Sequence, residues 1–268
     1  MTHSLIALNK AVSYCNVAST CGHDAFLLPD DLAIYGELMR AFLNNLRDSS
    51  PKSIEDDDLY VHSPISIFGA LRRPRIDYDQ IVRLIQPSAS VLDLGCGQGS
   101  LLVKLRADKS RKLMGLEINE EDVLSCVQRG LDVVQADLNS GLAPFPDAQF
   151  DYVVLSHTLQ AVRDVERLIA DMLRVGRKSI VSFPNFAYHK LRKMIAEQGR
   201  SPVSSGLLRH EWYNTPNIRF FTIADFEEFC RERQITIHER IALDTEDGSV
   251  VSDNANLLAD MAIFVISK

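Results

Sequence analysis

The chain has 268 residues, 46% of them hydrophobic and 24% charged, enough apolar material for one large soluble domain or two small ones. Lys and Arg number 29 against 36 Asp and Glu, a net charge of −7, which argues against a protein that grips nucleic-acid backbones by charge. No apolar run approaches the roughly 18 residues needed to cross a bilayer, and the start, MTHSLIALNKAVSYC, lacks the basic region of a signal peptide, so a cytoplasmic protein without a membrane partner is expected.

Residues 1–70 read as a helical extension and linker, and 71–268 as the main domain. Asp30 and Asp31 precede Leu32, Ile34, Tyr35, Leu38, Met39, Phe42, Leu43 and Leu46. That spacing is helical, with acids at the end the helix dipole favours. RDSSPKSIEDDDLY (47–60) reads as an exposed acidic loop and 61–75 as an extended linker. Cys15, Cys21, Cys96, Cys126 and Cys230 form no Cys-x-x-Cys pair and are odd in number. Reduced thiols are expected, with no disulfide framework and no metal site.

From residue 76 strands and helices alternate. Helices are predicted over 76–86, 100–107, 119–130, 163–176 and 222–234. Strands are predicted over 90–94, 111–118, 131–138, 150–156, 177–184, 235–243 and 261–267. FDYVVLS (150–156) is continuously apolar, as suits a strand covered on both faces. Thr222 is placed to cap its helix, and Gly130 to end another. Repeated βα units imply a doubly wound, mostly parallel α/β sheet of seven strands. The last two strands are joined only by a loop and can pair antiparallel.

The first strand runs into Asp93-Leu94-Gly95-Cys96-Gly97-Gln98-Gly99. Glycines after a strand permit a tight turn and close approach of a ligand to the backbone. The spacing is G-x-G-x-G; residue 100 is Ser, so the dinucleotide pattern G-x-G-x-x-G is not met. Asp93 would repel a pyrophosphate and attract a cationic amino-acid head. Glu117 closes the second strand, within reach of a ribose diol, although a surface acid would look the same. Asp137 ends the third strand and could equally be a turn cap. Cys96 suits the loop as a small buried residue.

VLDLGCGQG resembles motif I of class I methyltransferases, and GLEIN the segment after it. The resemblance implies a Rossmann-like fold binding S-adenosylmethionine or S-adenosylhomocysteine. Gly95, Cys96, Gly97 and Gly99 would frame the methionine part beside Asp93. Glu117 would hold the ribose hydroxyls, and Ile118 would pack on the adenine. Asp137, followed by Leu138, would meet the adenine amino group, and Ser156 would close the fourth strand near the methyl group. LSHTLQAVRD (155–164), MLRVGRKSIVSFPNF (172–186) and WYNTPNIRFFTIADFEEFC (212–230) further resemble the methionine-biosynthesis protein MetW family. The family pattern has Gln at 157 and Asp before TPNI; this chain has His157 and Asn214. The resemblance implies a partner, homoserine O-acyltransferase, which the protein would bind and activate.

Two functions stay open at this level. In a working methyltransferase, His157 at the end of strand four is the candidate base, since a histidine titrates near neutrality; it could also simply fill the position of the family Gln. There is no Asn-Pro-Pro-Tyr or Asp-Pro-Pro-Tyr and no acidic cluster for a metal after strand four. Residues 185–221 hold Phe186, Tyr188, His189, Trp212, Tyr213 and Phe220. They read as a lid over the strand ends or as anchors for a partner. RRPR (72–75) and HKLRKM (189–194) are basic and read as a solvated linker and helix face.

Overall fold

The computed structural model describes residues 75–106, 112–203 and 210–268, together with Arg40. The helix expected after Asp31, the acidic loop over 47–60, most of the linker and both N-terminal cysteines lie outside these residues.

The first half contains α1 (Ile76–Leu84), β1 (Val91–Leu94), α2 (Ser100–Leu105), β2 (Leu113–Glu117), α3 (Glu120–Gln128), β3 (Val133–Gln135) and β4 (Phe150–Ser156). The second contains α4 (Val165–Val175), β5 (Gly176–Pro184), α5 (His189–Gln198), α6 (Ile223–Glu232), β6 (Thr236–Asp244), β7 (Ser249–Val250), α7 (Ala255–Leu258) and β8 (Met261–Ser267). Among the described residues, one sheet holds all the strands in the order β3-β2-β1-β4-β5-β8-β6-β7. β1 to β5 run parallel; β8 lies antiparallel between β5 and β6.

Sequence predicts seven strands, and the sheet has eight. The extra one, β7, is two residues long and pairs only with Leu243 and Asp244. A strand that short has no readable alternation. β3 is also shorter than the predicted 131–138. It is an edge strand, and beyond it the Asp137 carboxylate accepts the N–H of Asn139 and caps the 3-10 turn Leu138–Ser140. The caps read from sequence are present. Thr222 and Asp225 form a reciprocal capping box at α6, and Gly130, at φ +71°, follows the end of α3.

Strand alternation assigns each residue a face. Leu92, Leu94, Val153 and Leu155 pack toward Leu168, Ile169 and Met172 of α4. Val91, Tyr152 and Val154 pack toward Ile81 of α1 and Leu101 and Leu105 of α2. Each such side chain, removed from water, contributes about 1.5–3 kcal/mol. The same alternation puts Asp93 and Ser156 on the α1 side, at the carboxyl ends of the two central strands. A polar cluster thus caps an apolar layer.

Candidate functional site

From β1 the chain winds outward to β2 and β3, then returns to β4 and winds the other way. The crevice above the carboxyl ends of β1 and β4 is therefore the topological switch point, where open α/β sheets bind ligands.

The glycine loop forms one wall. Gly95, Gly97 and Gly99 all have positive φ, from +53° to +78°. At Gly99 an added Cβ would lie 2.3 Å from Leu131 Cδ1, so glycine is required by both space and backbone. At Gly97 nothing lies within 4 Å of such a carbon, leaving backbone open to a ligand. Cys96 does not turn its thiol into the crevice. The sulfur packs back toward Cys126, 4.0 Å away, and toward Gly115 of β2.

Glu117 ties this wall together. One carboxylate oxygen accepts the Gly97 N–H at 2.8 Å; the other accepts those of Ile118 and Asn119 at 2.8 and 2.9 Å. Ile118 beside it is 60% exposed, an apolar shelf at the rim. Asp137 and Leu138 lie past the end of neighbouring β3, with Asp137 exposed and acting as the turn cap. Asp93 is buried. Burial pushes its carboxyl up to about 7, with Glu117 and Asp77 adding to the rise and Arg75 opposing it. Such a group gains from a cation placed against it.

The floor of the crevice contains two residues that the sequence reading missed. Asp77, in the first turn of α1, is buried. Arg75, just before α1, grips it with Nε at 2.8 Å from Oδ1 and Nη2 at 2.6 Å from Oδ2. Ser156 donates to Asp77 Oδ2 at 2.9 Å, accepts from Arg75 Nη2 at 2.7 Å and pairs with Ser182 at 2.9 Å. Its hydroxyl is already engaged in the floor. Burial disfavours charge on Asp77, but the Arg75 guanidinium and the neighbouring His157 and Ser156 outweigh it and hold the carboxyl below its ordinary range.

His157 sits next to this cluster with φ +52°, a conformation uncommon for a non-glycine residue. Its Nε2 lies 2.8 Å from Met261 Sδ and 3.6 Å from Asp77 Oδ2. Burial, with the Arg75 charge, lowers its pKa to about 4. The ring is neutral at physiological pH and a weak proton acceptor.

The sequence-predicted lid divides. Tyr188 is buried and donates to Asp244 Oδ2 at 3.2 Å. Phe186 packs on Phe220 with ring centroids 4.3 Å apart. Gln160, in the turn after β4, accepts the N–H groups of Ile218 and Arg219 at its carbonyl, which brings the second segment over the strand ends. Trp212 and Tyr213 stay 73% and 70% exposed, edge to face. Residues 204–209 lie outside the described part. Among the described residues no group of three His, Cys, Asp or Glu side chains is placed to hold a metal, and no helix is long and apolar enough to cross a membrane.

A family profile described as "Methionine biosynthesis protein MetW" matches residues 75–266, from Arg75 to within the last strand. The chain belongs to the MetW family. It is 39% identical to the "Bifunctional methionine biosynthesis protein MetXA/MetW" of Rhodopirellula baltica over 279 aligned residues. That match takes in 100% of this chain and 42% of the relative, so the chain spans less than half the length of that protein. A shorter stretch, 43% of the chain, is 28% identical to 39% of a ribosomal protein L11 methyltransferase of Burkholderia vietnamiensis.

Among solved structures, an S-adenosylmethionine-dependent methyltransferase of Mesorhizobium loti matches at a TM-score of 0.52 and 15% identity, over 73% of this chain and 99% of that one. A possible histamine N-methyltransferase of Thermotoga maritima matches at 0.51 and 18%, over 72% and 90%. These likenesses establish the fold: the MetW chain has the Rossmann-like fold of those two proteins.

Proposed function

We propose that this MetW protein binds S-adenosylmethionine in the β1–β4 crevice and acts in methionine biosynthesis by activating homoserine O-acyltransferase. The carrying observation is the match to the bifunctional MetXA/MetW protein. It spans the whole chain, whereas the family profile begins at residue 75. Residues 1–74 therefore have their counterpart in a protein where two methionine-biosynthesis functions share one chain. A segment of that kind supports a physical association between the two activities, which tethering would favour by raising the effective concentration of the partner.

Three features support the cofactor. Asp93 is a buried carboxylate that favours a cation, Gly97 leaves backbone exposed in the crevice, and Ile118 presents an apolar surface beside Glu117. S-adenosylmethionine, when bound, supplies an electrophilic methyl group on a sulfonium. The residues of this chain would do the holding: Asp93 and Arg75 at the amino-acid end, Glu117 at the ribose, Ile118 at the base. His157 is poorly suited to take a proton from an acceptor, because burial keeps its basicity low. This favours a binding or sensing role over acid–base catalysis.

The test is acyltransferase turnover with and without this chain at saturating S-adenosylmethionine. A several-fold rise is expected. No change, with cofactor binding confirmed by calorimetry, would discard activation and favour a methyltransferase whose acceptor remains to be found.

A further inference from the structure

We infer that Cys96 and Cys126 form a peroxide-responsive dithiol, whose closure to a disulfide displaces the glycine loop and weakens ligand binding in the crevice. The effect on the ligand rests on the cofactor reading above; the cross-link itself does not. The two sulfurs face each other 4.0 Å apart, one on the glycine loop and one on α3. Both abut a single carbonyl, that of Gly97: Cys126 Sγ donates to it at 3.2 Å, and Cys96 Sγ stands 3.6 Å from it. Two glycines leave the sulfurs their space. A Cβ on Gly115 would lie 2.5 Å from Cys96 Sγ, and one on Gly99 would lie 3.0 Å from Cys126 Sγ. The pair belongs to an apolar cluster with Leu102, Val123, Val127, Leu131 and Val133.

A disulfide needs its sulfurs about 2.05 Å apart, so roughly 2 Å must close. Cys126 is held in a helix, whereas Cys96 sits between two left-handed glycines, Gly95 and Gly97. The loop therefore makes the larger movement. Gly97 moves with it, away from the Glu117 carboxylate that accepts its N–H at 2.8 Å. Binding constellations tolerate displacements of about 0.5 Å, so this wall of the crevice is spoiled. Burial selects the oxidant. Cys96 is 4% exposed and Cys126 0%. The hydrogen bond with Cys126, burial, and the Asp93 and Glu117 charges all push the Cys96 thiol up, so the reaction is slow. Hydrogen peroxide is small enough to enter; a bulky disulfide such as oxidised glutathione is not. The Cys96 sulfur attacks one peroxide oxygen: an S–O bond forms, the O–O bond breaks, and the departing hydroxide takes the thiol proton and leaves as water. The Cys126 sulfur then attacks the sulfenic acid. The S–S bond forms, the S–O bond breaks, and the released hydroxide carries off the Cys126 proton as a second water. Two thiols are oxidised and one peroxide is reduced.

The test treats the full chain with hydrogen peroxide, blocks the remaining thiols and maps the peptides without reductant. A peptide pair joined through Cys96 and Cys126 is expected, and dithiothreitol should release it. Oxidised glutathione should leave the two peptides unjoined. By calorimetry the joined protein should bind S-adenosylmethionine about tenfold or more weakly than the reduced protein. The loss should track the joined fraction through the time course and reverse on reduction. A chain carrying Cys15→Ser and Cys21→Ser should respond as wild type does; a lost response would assign the effect to those thiols and overturn the switch. No joined peptide, whether the sulfurs stay reduced or pass on to sulfinic acid, would overturn the cross-link, and needs no variant to fold. A joined pair with unchanged affinity would overturn the switch. A reduced chain that does not bind S-adenosylmethionine would overturn the cofactor reading, while the peptide map would still decide the cross-link.

Discussion

The two halves of the sheet are stabilised differently. Around β1 and β4 the carboxyl ends carry a buried carboxylate, an ion pair and three left-handed glycines. Around β5, β8 and α6 the core is aromatic: Phe183 stacks on Phe264 at 5.8 Å, and Phe226 lies 5.0 and 4.9 Å from the two rings. A buried ion pair is weak evidence for stability, because desolvation offsets most of its attraction. The aromatic cluster therefore contributes to stability without a ligand, as do the apolar faces of β1 and β4, while the polar groups of the crevice contribute little until a ligand meets them.

This contrast can be broken from either side. Phe264→Ala should cost about 3–5 kcal/mol, measured by urea unfolding, with cofactor affinity of the folded protein unchanged. A loss below about 1 kcal/mol would mean that the aromatic cluster adds little to stability. Lowering the pH should act on the crevice instead. With Asp93 near 7 in the unliganded protein, a cationic ligand must displace a proton below that pH. Affinity for S-adenosylmethionine should then fall about tenfold per pH unit below about 7, and Asp93→Asn should flatten the profile.

Stability follows its own sign. The Asp93 pKa is raised on folding, so its contribution is present below the ordinary carboxylate range and lost as pH rises through about 7. The His157 pKa is lowered, so its contribution is present above about 6.5 and lost as pH falls through about 4. Unfolding curves of Asp93→Asn and His157→Gln across pH 4–8 should diverge from wild type in opposite directions.

Gly97→Ala separates stability from binding at one atom. The methyl group meets no protein atom within 4 Å, and only the φ of +53° opposes it, about 1–2 kcal/mol. Cofactor affinity should nevertheless drop about tenfold or more, the scale of a lost charge-assisted contact. Last, Trp212→Ala should move stability by less than about 0.5 kcal/mol while reducing acyltransferase activation. Unchanged activation would move the docking surface elsewhere.

What sequence could convey follows from range. β4 and β8 are built around the apolar runs 152–155 and 261–266, and their bounds are found residue for residue at 150–156 and 261–267. The turn made by the glycine loop is legible because its backbone needs are local, and the place of Glu117 because it closes an apolar strand, but the bond that joins Glu117 to Gly97, 20 residues back, is not. Arg75 and Asp77 are not legible either. As part of RRPR and as the first acid of a helix, they have the signature of solvated surface; only the packing of α1 against Ser156, 79 residues away, buries Asp77. His157 is a middle case. Its place at the end of β4 is read correctly, but its weak basicity comes from burial, and from the Arg75 charge against the opposing pull of Asp77, which no local pattern reveals.

The exposure of Trp212 has an optical consequence. The chain contains one tryptophan, and it stands almost in water over the lid segment. Intrinsic fluorescence from this protein is therefore a single-site signal from that surface, red-shifted when the indole is bare. A protein that covers it would shift the emission blue, reporting contact in real time without a label.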